Sequence, residues 1–95
     1  MLKYSILDQS KEELSNNTTI RLDESEFKGT VICYNPITLK EDETLSYGLD
    51  ILYLVIDNEQ QTNISKAQRE RLLAEAHNIF LDLLLLFKGQ INYET

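Results

Sequence analysis

Residues 44 to 57, TLSYGLDILYLVID, carry two competing periods, and the one that wins decides the architecture. Leu45, Tyr47, Leu49, Ile51, Tyr53 and Val55 recur at every second position, with Ser46, Gly48 and Asp50 between them, as a half-buried strand requires. Leu45, Leu49, Leu52 and Ile56 equally fit one face of a helix. Gly48 weakens a helix, whereas Tyr53, Val55 and Ile56 favour an extended chain, so the balance falls to a long strand. From Ile51 to Ile56 both faces are apolar, which predicts a central strand with material packed on each side.

Downstream, Asn58 to Asn63 is a polar connector, and residues 65 to 88, SKAQRERLLAEAHNIFLDLLLLFK, form the clearest helix in the chain. Ser65 stands as N-cap with Gln68 three residues on, the spacing at which each side chain bonds the other residue's backbone N–H. Phe87, Lys88 and Gly89 put a cation in the last turn and a glycine at the stop. Leu72, Ala76, Ile79, Phe80, Leu83 and Phe87 make the stripe that should meet a sheet. From Ile79 to Phe87 only Asp82 interrupts the apolar residues. Leu73, Leu81, Leu84 and Leu85 are therefore left needing cover of their own. Gln90 to Thr95 is a short tail whose Ile91 and Tyr93 could pack back on the body.

Upstream, Leu2 to Leu7 reads as a first strand and Thr18 to Leu22 as a second, followed by an acidic turn from Asp23 to Glu26. Gly29 opens the β-branched and aromatic run Thr30 to Tyr34, a third strand. Pro36 has no N–H for a ladder, so that strand must end there, lie at an edge, or bulge before Ile37 to Leu39. Lys40, Glu41, Asp42 and Glu43 make an exposed hairpin tip. The expected fold is α+β: three or four antiparallel strands in a meander, with one long C-terminal helix packed on one face. Ninety-five residues suffice for one such domain, spanning 1–95, with strands and loops to residue 62 and the helix after it.

The net charge of −7 lies wholly before residue 63. Residues 1–62 hold twelve acids and five bases, whereas residues 63–95 hold four of each. An acidic surface repels nucleic-acid phosphate and anionic lipid and attracts a basic protein, although the same acidity also serves simple solubility. Cys33 is the single cysteine, so no internal disulfide forms and a reducing compartment fits. MLKYSILDQSKEEL has no apolar run of signal length, and the longest apolar stretches are too interrupted to span a bilayer. A cytoplasmic protein is expected.

Catalysis needs convergent polar groups, and few are on offer. His77 is the sole histidine; with Leu73 and Leu81 four residues to either side, it reads as a partly buried side chain bonded to a neighbour. Cys33 sits within an apolar strand, where a thiol acts as a small hydrophobe; a Cys33 and His77 dyad would require the two to meet across sheet and helix. Glu41, Asp42 and Glu43 lack calcium-loop spacing, and no phosphate loop or metal-ligand spacing is present. No enzyme, cofactor or metal is expected.

Lys66, Arg69 and Arg71 crowd the start of the helix, where the macrodipole already favours anions. Asp57 and Glu59 are the nearest compensating acids; the alternative is that these bases face a partner's acids or a second copy. The expected function is a small acidic, non-catalytic protein-binding module: an inhibitor, immunity-type protein, chaperone or adaptor of the kind common in bacteria and their phages. It would act as a homodimer or on a partner with a basic surface. Candidate interface residues are Lys66, Arg69, Arg71, Leu73, Leu81, Leu84, Leu85, Glu41, Asp42 and Glu43. A structural or assembly subunit of a phage particle or ring is the alternative.

Overall fold

The computed structural model of the protein describes residues 3–8, 18–39, 45–86 and 92–93. Four strands, β1 (Tyr4–Asp8), β2 (Thr18–Leu22), β3 (Val31–Leu39) and β4 (Leu45–Tyr53), lie side by side in chain order, each antiparallel to the next. This is the expected meander. A hairpin of β5 (Val55–Ile56) and β6 (Glu59–Gln60) leads into the helix α1 (Lys66–Leu86). The tail then returns to the sheet, where β7 (Asn92–Tyr93) pairs in parallel with Thr38 and Leu39 of β3.

The register explains which face the helix covers. Ile20 lies opposite Ile32, which lies opposite Ile51; Thr18, Tyr34 and Leu49 form the next row. Side chains alternate across a strand, so these rows share one face. Ile20, Leu22, Ile32 and Tyr34 are buried there against Leu72, Ala76, Ile79, Phe80 and Leu83 of α1. The stripe read from the sequence is the buried one over the described residues; Phe87 lies outside them. Tyr34 ties the layers together, its hydroxyl donating to the Ala76 carbonyl at 2.6 Å. At the sheet's margin the Tyr4 hydroxyl donates to Asp82.

Three irregularities shape the sheet. From Asn35 to Thr38 the ladder advances three residues on β3 while β4 advances two, from Gly48 to Ser46, so the strand accommodates Pro36 by a bulge. A second bulge lies on β4, where Ile51 and Tyr53 face the consecutive residues Ile32 and Val31 and Leu52 is the extra residue. A third, in β1, falls between Ile6 and Asp8. The first strand, expected over Leu2 to Leu7, spans Tyr4 to Asp8, with Leu2 outside the described residues.

The segment 44–57 departs from expectation in two respects. The strand β4 stops at Tyr53, with Val55 and Ile56 in a separate two-stranded sheet, and among the described residues β4 ends the strand order, so it is an edge and not a central strand. Leu52 is 58% exposed and Tyr53 46%. Beyond them the chain leaves the sheet: Leu54 and Ile56 turn into the helix-side core, and Val55 packs against Gly29. Gly29 has φ +94, and a Cβ there would lie 3.4 Å from Val55 Cγ2. Asp57 and Asn58, at φ 50 and 68, make the tight turn that folds β6 back on β5.

Thr30 fastens this exit. Its buried hydroxyl accepts from the Val55 N–H and donates to the Val55 carbonyl, both at 2.9 Å. Thr30→Val keeps the shape but leaves both backbone groups without partners. It is expected to destabilise the fold by about 1–3 kcal/mol for each group so stranded, read from the urea midpoint.

Candidate protein interface

The helix start is organised by its cap. Ser65 Oγ accepts from the Gln68 N–H and Gln68 Oε1 from the Ser65 N–H, both at 3.1 Å. No acid lies in the first turn. The three bases there part company. Arg71 reaches back across the fold to Glu26 in a two-pronged pair, Nε to Oε1 at 2.6 Å and Nη2 to Oε2 at 3.2 Å. Its hydrogen-bonded acid is thus Glu26, 45 residues away, while Asp57, one of the two acids expected to compensate it, adds an attraction without a direct bond. The same loop holds the β5–β6 hairpin, since the Asp57 N–H donates to the Glu26 carbonyl at 2.8 Å. Lys66 and Arg69 are exposed, and no described carboxylate pairs with either.

The Arg71 hydrogen bonds hold the Glu26 carboxyl below the usual carboxylate range, and bonds from Ser5 and then Arg21 do the same for Asp23. A carboxyl whose folded pKa is depressed stabilises the fold above its unfolded pKa and loses that contribution as pH falls through the folded value. Unfolding temperature should therefore fall on acidification below about pH 5, and less steeply in Glu26→Gln than in the wild type.

The outer side of α1 carries apolar residues. Leu85 is 76% exposed, Leu81 46% and Leu73 39%. Leu81 and Leu85 are one turn apart and point away from the sheet. The side chain of Leu84, and Glu41, Asp42 and Glu43 with the hairpin tip, lie outside the described residues, as do Lys88 and Gly89. Next to Leu73, His77 is exposed, not partly buried as expected, but it does bond a neighbour: its Nδ1 is 2.8 Å from the Tyr47 hydroxyl. Tyr47 stacks on Phe80 with ring centroids 4.0 Å apart. Cys33 is buried and alternates with Ile32 and Tyr34, so it occupies the sheet face opposite the helix and does not meet His77.

A groove absent from the sequence reading lies beside β4. About 340 Å³ in volume, it is lined by residues 51–54 at the end of β4 and the returning segment 60–62, with Ile64 and Arg69. Gln60, Gln61 and Thr62 had looked like mere connector. The available signal was the Asp57–Asn58 pair, two residues tolerant of positive φ, which folds that connector back along the strand. The Gln61 N–H donates to the Leu54 carbonyl at 3.0 Å, which joins the two sides of the groove's lining. Among the described residues no three potential metal ligands cluster, and no helix is long and apolar enough to cross a membrane. Compared with protein-family models, curated proteins and solved structures, the chain has no significant match.

Proposed function

We propose that this chain is a small, acidic, non-catalytic protein-binding module of the cytoplasm, working as an inhibitor, immunity-type protein, chaperone or adaptor. The supporting observation is the pair Leu81 and Leu85, exposed on the helix side that faces away from the sheet. Fully burying a leucine is worth about 1.5–3 kcal/mol, so a surface that covers both gains substantially. A second copy in a C2 dimer, or a heterologous protein, would supply that surface. The negative charge of the strand half adds steering toward a basic partner and disfavours nucleic acid and anionic membranes. The second reading, an assembly subunit of a phage particle or ring, is favoured by the terminal positions of β1 and β4 in the strand order of the described residues, where neighbouring copies could add.

Native mass determination separates the two. A dimer, or a monomer that binds one foreign protein, supports the module; a closed ring or polymer supports the subunit. Washing the complex at low and high salt then assigns the contact, because screening releases charge pairing and leaves leucine burial intact.

A further inference from the structure

The groove beside β4 differs chemically from the rest of this acidic chain. None of its nine described lining residues is acidic, and Arg69 is the sole charged group among them. That guanidinium has no carboxylate partner among the described residues. Among the described residues β4 is the terminal strand, and a strand in that position offers backbone N–H and C=O groups to a further strand. Opposite them, Gln60, Gln61 and Thr62 offer amide and hydroxyl groups able both to donate to and accept from a peptide backbone. Leu52 and Tyr53 add exposed apolar area at the rim.

We infer that this groove receives an extended segment of a partner protein, laid along residues 51–53 of β4 as an added strand. The Arg69 guanidinium holds a carboxylate of that segment, from an acidic side chain or a free C-terminus. Charge selects the occupant: a neutral or basic peptide leaves the guanidinium uncompensated. The bond from Gln61 to Leu54 closes the edge beyond Tyr53, so the added strand is short. The inference rests on the reading of the chain as a protein-binding module and names a second contact, separate from the outer helix face.

Panning a random octapeptide library with free C-termini against the full chain tests it. Enriched peptides should carry an acid and lack a central proline, and their synthetic copies should shift the amide resonances of Ile51–Tyr53 and Gln60–Thr62. They should bind Arg69→Ala about tenfold more weakly than wild type. Replacing the peptide's acids by amides, or capping its C-terminus, should weaken wild-type binding by the same factor and leave Arg69→Ala binding unchanged. Which replacement does so identifies the carboxylate as side chain or terminus. Arg69 is exposed, so the variant retains the fold, as circular dichroism will confirm. No enrichment, equal binding to Arg69→Ala, or shifts confined to the outer helix face would overturn the inference. Should Leu81→Lys/Leu85→Lys abolish association while the groove takes no peptide, the groove assignment alone falls.

Discussion

Phe80→Ala will destabilise the protein by about 3–5 kcal/mol, the usual cost of deleting a buried aromatic ring from a packed core. Phe80 is 1% exposed and sits where three elements meet: its ring stacks on Tyr47 of β4 and tilts against Tyr34 of β3, with centroids 4.0 and 5.9 Å away. The variant opens a cavity and also removes the platform that sets Tyr47 against His77. A domain of this size is stable by only about 5–15 kcal/mol, so the loss claims much of the total. Phe80→Leu keeps part of the volume and should fall between the two. Urea unfolding measures this; a drop under about 1 kcal/mol for the alanine variant would mean that α1 does not rest on the sheet through Phe80.

Leu81→Lys/Leu85→Lys should do the reverse, leaving the isolated chain intact and abolishing its association. Both positions are exposed on a helix where lysine is well tolerated, so each change should alter stability by no more than about 0.5 kcal/mol. If a partner buries both leucines, their loss removes about 3–6 kcal/mol of binding, a weakening of two to four powers of ten. Sedimentation velocity and the urea midpoint, run on the same samples, separate the two effects. An unchanged association constant would show that the contact lies elsewhere.

How far the sequence carried these conclusions depended on whether the signal was local. The Ser65 and Gln68 cap, the strand over Thr18 to Leu22 and the buried stripe of α1 are written in local pattern, and the structure has all three over the described residues. Pro36 announced an end, an edge or a bulge because it has no N–H for a ladder, and the structure has the bulge. The run Ile51 to Ile56 announced nothing of the kind. With every residue apolar, parity carries no information, so neither the bulge at Leu52 nor the exit at Leu54 could be read, and an edge strand looked central. Phe27 is fully buried although it sits among charged turn residues. Its placement comes from a loop with Ser25 and Gly29 at positive φ, which no periodicity reports. The Arg71–Glu26 pair is equally non-local. The exposed leucines of α1, in contrast, were legible as a surplus: a helix can turn only one stripe toward one sheet.

Carbene footprinting of Leu81 and Leu85 tests the central claim most directly, with labelling followed in the isolated chain at dilutions below its association midpoint and again in the associated state. The account predicts strong labelling of both leucines in the single chain and protection once a second copy or a foreign protein is bound. Protection of both in a strictly monomeric sample would contradict it, because the chain would then be covering those side chains by itself.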